Sequence, residues 1–139
     1  MSPRTLGGQF CDDIRNEIGG KTSYIGCYRG VMEVSAFPIT LPKLCASVRA
    51  STPASQPFTS LKFVVLKDDE EIISGEMPPE AFAAMEQTDE DGRLQQVFAE
   101  FVFSPLVLDG PCVLRVRAQS ESGELRGLGL KVQLKNESV

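Results

Sequence analysis

Leu44-Cys45-Ala46-Ser47-Val48-Arg49-Ala50 carries apolar residues at 44, 46, 48 and 50, the period of two expected of a strand with one face on a core. The same alternation returns near the C-terminus. Leu114, Val116 and Ala118 alternate with Arg115 and Arg117, and Leu128, Leu130, Val132 and Leu134 alternate with Gly129, Lys131 and Gln133. The intervening Glu121-Ser122-Gly123-Glu124 reads as the loop of an antiparallel hairpin. Leu61–Leu66 and Val97–Phe103 carry apolar residues on both parities, as strands covered on both faces do, and are expected to be central strands. Asp68-Asp69-Glu70 then turns the chain into a further hairpin strand over Glu71–Gly75.

Pro38, Pro42, Pro53, Pro57, Pro78, Pro79, Pro105 and Pro111 punctuate the gaps, where no ladder hydrogen bond is needed, and mark out about eight or nine strands. Good helix formers behind Pro78-Pro79 predict one short helix near 79–86, followed by an exposed acidic loop, Thr88–Gly92. Many short strands with regular turns predict an all-β fold. The expected form is a two-sheet antiparallel β-sandwich of immunoglobulin-like or C2-like kind, with a closed barrel as the alternative. A chain of 139 residues is the size of one domain spanning 1–139.

Composition excludes more chemistry than it suggests. There is no His, so Ser-His-Asp, Cys-His and zinc-histidine mechanisms are absent. Ser23, Ser35 and Thr40 therefore lack the usual activating base, and spacing alone does not build a Ser-Lys dyad from Lys21 or Lys43. Gly20-Lys21-Thr22 fails as a phosphate loop because position 15 is Arg rather than Gly. With 14 Lys and Arg against 19 Asp and Glu, the net charge of −5 opposes binding to phosphate backbones, so no nucleic acid partner is expected. The first ten residues lack the apolar stretch of about 7–15 residues that a secretory signal needs. No later stretch approaches the ~18 apolar residues of a membrane span. A cytoplasmic protein with no membrane partner is expected. Cys11, Cys27, Cys45 and Cys112 follow no metal-knuckle spacing and read as free thiols.

Phe10-Cys11-Asp12-Asp13-Ile14-Arg15, then Gly20-Lys21, Ser23, Ile25-Gly26-Cys27-Tyr28, Phe37-Pro38 and Leu41-Pro42-Lys43-Leu44 resemble a family of small bacterial proteins known only as a domain of unknown function. The resemblance covers most of the chain and is clearest over residues 10–44. It implies a bacterial or prophage origin and a β-rich domain, and brings no catalytic residue. Read from the residues themselves, the same stretch is a hairpin: a strand ending near Arg15, a turn through Gly19-Gly20, and a second strand from Thr22 to Tyr28. Its charges, Asp12 and Asp13 beside Arg15 and Lys21, are expected to pair and hold the register.

Three acidic clusters are the candidate metal ligands: Asp12/Asp13, Asp68/Asp69 with Glu70/Glu71, and Asp89/Asp91 around Glu90. Calcium takes six to eight oxygens and suits such loops only where they converge. Nothing in the spacing makes them converge, so no cofactor is expected. Tyr24, Tyr28 and Arg29 are the candidate interaction residues, being of the types that interface cores favour. The leading expectation is a non-enzymatic module that binds another protein or itself. The alternatives are a calcium- or small-ligand-binding sandwich and an enzyme using carboxylates only.

Overall fold

The computed structural model describes residues 4–83 and 93–135. Within them the chain runs through β1 (Thr5–Glu17), β2 (Lys21–Cys27), β3 (Val31–Val34), β4 (Ile39–Leu41), β5 (Leu44–Pro53), β6 (Leu61–Lys67) and β7 (Glu70–Glu76). It continues with α1 (Pro79–Ala83), β8 (Leu94–Phe103), β9 (Leu106–Leu108), β10 (Cys112–Ser120) and β11 (Gly123–Leu134). The fold is all-β. The described residues hold eleven strands rather than eight or nine, because β3, β4 and β9 are too short to show an alternation. The expected helix begins at Pro79 and is described as far as Ala83; the rest of the 79–86 stretch and the Thr88–Gly92 loop lie outside the described residues. No helix among the described residues is long and apolar enough to cross a membrane.

One sheet has the order β2-β1-β5-β8, the other β3-β11-β10-β6-β7, and β4 pairs with β9 alone. Every pairing is antiparallel except β3 along β11. All three expected hairpins form: Glu17↔Lys21 closes β1–β2, Lys67↔Glu70 closes β6–β7, and Ser120↔Gly123 closes β10–β11. Pro53, expected in a gap, is the last residue of β5 and pairs with Leu94.

Both large sheets feed one core. Phe10, Ala46, Val48, Val97 and Phe101 come from the first sheet; Phe63, Val65, Leu114, Val116 and Leu130 come from the second. Burying each large side chain is worth about 1.5–3 kcal/mol, which is why the alternation selects these residues. Phe82 of α1 adds to the same core, its ring centroid 6.5 Å from that of Phe58.

The central-strand expectation holds for β6, flanked by β10 and β7, and fails for β8, the last strand of its sheet. Phe98 and Val102 of β8 are 58% and 51% exposed, so its two-sided apolar pattern does not reflect burial on both faces. The more deeply embedded strand is β5, buried from Leu44 to Thr52 except at Arg49, its outward Cys45 and Ser47 included. Sequence showed β5 as one-sided because Cys and Ser count poorly as core.

Two glycines mark close approaches between the sheets: Gly127 of β11 lies against the Leu6 backbone of β1, and Gly75 of β7 sits against the Phe101 ring of β8. At Gly127 a Cβ would overlap the Leu6 carbonyl oxygen, a backbone atom that cannot swing aside. Gly127→Val is therefore expected to destabilise the protein by on the order of 1–3 kcal/mol, read as a lower chemical-denaturation midpoint. An unchanged midpoint would show that the two strands do not pack this closely.

Candidate functional site

The hairpin β1–β2 does not simply extend its sheet. Cys45 Sγ lies 3.9 Å from the Asp12 carbonyl oxygen, Lys43 Nζ donates to Asp13 Oδ1 at 2.5 Å, and the Ser47 hydroxyl donates to the Tyr24 hydroxyl at 3.0 Å. These contacts lay the middle of the hairpin over the outward side of β5, which explains the burial of Cys45 and Ser47. The bend coincides with Gly26, whose φ of 68° lies in the left-handed region that glycine tolerates and whose missing side chain makes room for the Asp12 carboxylate.

Beside this overlay lies a cleft of about 240 Å³ lined by Gly8, Gln9, Tyr24, Ser47, Val48, Arg49 and Phe98. Arg49 pairs across the sheet with Gly7 on one side and Phe98 on the other, so its guanidinium reaches within 3.6 Å of where a Gly7 side chain would begin. Tyr24, 39% exposed, and Phe98 supply aromatic walls. Beyond the cleft the outward row of β8 continues through Glu100 to Val102, both exposed.

The expected interaction residues divide. Tyr24 lies at the cleft and Arg29 is exposed, while Tyr28 is half-buried against the core. Burial, then the hydrogen bond its hydroxyl donates to Asp12 Oδ1 at 2.6 Å, pushes the Tyr28 pKa up to about 12. Phe98, Val102 and Arg49 were missed. The apolar parity of 97–103 was legible, but only the sheet order reveals that half of it faces outward.

The acidic candidates stay apart. Asp12 is held by Tyr28 and Asp13 by Lys43, whose hydrogen bond keeps the Asp13 carboxyl below its ordinary range. The expected pairing of these aspartates with Arg15 and Lys21 is thus replaced: Arg15 lies 3.7 Å from Glu17, and the partner of Asp13 comes from the segment before β5. Asp68, at φ 55°, uses its carboxylate to accept from the Val113 amide at 3.0 Å. Asp69 lies in the same exposed turn, and Asp89 and Asp91 lie outside the described residues. No group of three or more acids or thiols among the described residues is placed to hold a metal ion.

The densest polar network among the described residues was invisible in sequence. Arg4, only 11% exposed, donates through Nε to Thr52 Oγ1 at 2.8 Å, through Nη1 to the Ser120 and Ser122 hydroxyls and Glu121, and through Nη2 to the Gln56 carbonyl oxygen. Its guanidinium also lies 4.5 Å over the Phe58 ring. Glu121 in turn accepts from the amides of Thr59 and Ser60. Burial pushes the Glu121 pKa upward, but the Thr59, Arg4 and Ser60 hydrogen bonds outweigh it and lower it from 4.5 to about 2. The network ties the start of β1 and the loop after β5 to the β10–β11 turn and reads as architecture.

Comparison of the chain with protein-family models, with curated proteins and with solved structures finds no match.

Because the folded-state pKa of Glu121 is depressed, its stabilisation is fully present above about 4.5 and is lost as pH falls toward about 2. Glu121→Gln is expected to lower the melting temperature at pH 7 and to narrow the gap to wild type as the pH drops through that window. A gap independent of pH would contradict the network.

Proposed function

We propose that the protein is a non-enzymatic interaction module, bacterial and cytoplasmic, whose two large sheets form a sandwich and whose β8 edge takes an extended segment of a partner protein as an added strand. The observation that carries this reading is that, among the described residues, β8 ends its sheet, with Phe98 and Val102 of its Val97–Phe103 part exposed beside the Tyr24–Arg49 cleft. An edge strand offers main-chain hydrogen bonds, and alternate side chains set what it accepts.

Glu100 decides between a partner and a second copy. An antiparallel copy paired so that Phe98 meets Val102 puts Glu100 opposite Glu100, and like charges directly opposed are destabilising. A foreign strand with Lys or Arg opposite Glu100 and apolar residues two positions to either side meets the same row favourably. The proposed origin rests on the sequence reading of residues 10–44 alone, since no family model matches the chain.

The test is fluorescence anisotropy with a labelled peptide of that pattern, basic at the centre with flanking Val or Ile. Saturable binding is expected, lost in the double variant Phe98→Lys/Val102→Lys and weakened at least tenfold by Glu100→Lys. These exposed positions should change stability by less than about 0.5 kcal/mol, so loss of binding is separable from unfolding. Binding indifferent to all three substitutions would overturn the reading, and so would concentration-dependent dimers in sedimentation that the double variant abolishes.

A further inference from the structure

Three of the four cysteines stand in one cross-strand row: Cys11 of β1 is registered opposite Cys27 of β2 on one side and Cys45 of β5 on the other. The two pairings differ in kind. The Tyr28 amide donates to the Phe10 carbonyl oxygen at 2.9 Å, a bond that brackets Cys11 and Cys27 and makes them a non-hydrogen-bonded pair. Such pairs bring opposite Cα atoms to about 4.5 Å, against about 5.5 Å in hydrogen-bonded pairs, with their side chains closer. Within an antiparallel strand the N–H and C=O of a residue point to the same side, so those of Cys11 point toward β5 and its pair with Cys45 is the wider one. Cα separations of about 4.4–6.8 Å and Cβ separations of about 3.5–4.5 Å accommodate a disulfide, and the narrow pair approaches the Cβ range more readily.

Access separates the pairs too. Cys27 is exposed, whereas Cys11 and Cys45 are fully buried, and Cys45 Sγ is directed to the Asp12 carbonyl oxygen. We infer that Cys11 and Cys27 form a redox-modification site, a dithiol that a small-molecule disulfide converts to a cross-strand disulfide at the base of the β1–β2 hairpin. The Cys27 thiolate attacks one sulfur of the oxidant and expels the other as a thiolate. Cys11 then gives up its proton and attacks Cys27 Sγ in the mixed disulfide, releasing the second oxidant thiol. Two protein thiols are oxidised and one small disulfide is reduced to two thiols. Burial, then the neighbouring Cys45 and Cys27, pushes the Cys11 pKa up to about 11, so closure is the slower step. The disulfide would clip the hairpin whose Tyr24 walls the cleft beside β8.

The folded protein is treated with oxidised glutathione, residual thiols are blocked under denaturing conditions, and tryptic peptides are mapped without reduction. The expected product joins peptide 5–15, which carries Cys11, to peptide 22–29, which carries Cys27, with Cys45 and Cys112 blocked as free thiols. Cys45→Ala should form the same link at the same extent, Cys27→Ala should form none, and dithiothreitol should restore the separate peptides. A Cys11–Cys45 link, a Cys27–Cys27 dimer, or glutathione retained on Cys27 without closure would each overturn the inference.

Discussion

The guanidinium of Arg4 is the fixed point of this architecture. It bonds Thr52 near the end of β5, the carbonyl oxygen of Gln56 in the loop that follows, and Ser120, Glu121 and Ser122 at the β10–β11 turn. One side chain thereby joins the start of β1 and the end of β5, both in the first sheet, to the hairpin of the second. Glu121 extends the bond to Thr59 and Ser60 just before β6. A charge this enclosed is costly unless nearly every donor finds an acceptor. Here the loop and turn supply them, and no buried side-chain polar atom among the described residues lacks a partner.

Holding that end fixes how the remaining strands meet. The Thr5–Cys11 part of β1 pairs with β5, and Leu6 passes against Gly127 of β11. Across the molecule the end strands β7 and β8 meet through Gly75 and Phe101 without forming a ladder among the described residues. The sheets share a core, yet β8 keeps an outward row of Phe98, Glu100 and Val102. Exposed apolar residues on an edge strand invite strand addition, which is the ground of the proposed binding, with Glu100 as the one acid between Phe98 and Val102.

Period-two alternation at 44–50, 114–118 and 128–134 was enough to recover an all-β chain, because a half-buried strand must alternate, and the turn residues at Gly19-Gly20, Asp68-Asp69-Glu70 and Glu121–Glu124 gave its hairpins. The same rule misplaced Val97–Phe103: apolar residues on both parities describe a strand buried twice over and an edge strand with a sticky outer face equally well. Contacts between distant residues were illegible. Arg4 and Glu121 are separated by 117 positions, and Asp13 finds Lys43 rather than the nearer Arg15 or Lys21. The cysteines show the same limit: their spacing looks random along the chain, and only strand register turns 27, 11 and 45 into a row.

The central claim is that the Val97–Phe103 part of β8 presents an open edge among the described residues, and amide hydrogen exchange of the folded protein measures it directly. Over Val97–Phe103 alternate amides should exchange with little protection while their neighbours, bonded to β5, exchange slowly; the fast set should slow when the basic-centred peptide is added. Uniform protection across those seven residues in the free protein, equal to that of β5, would contradict the account.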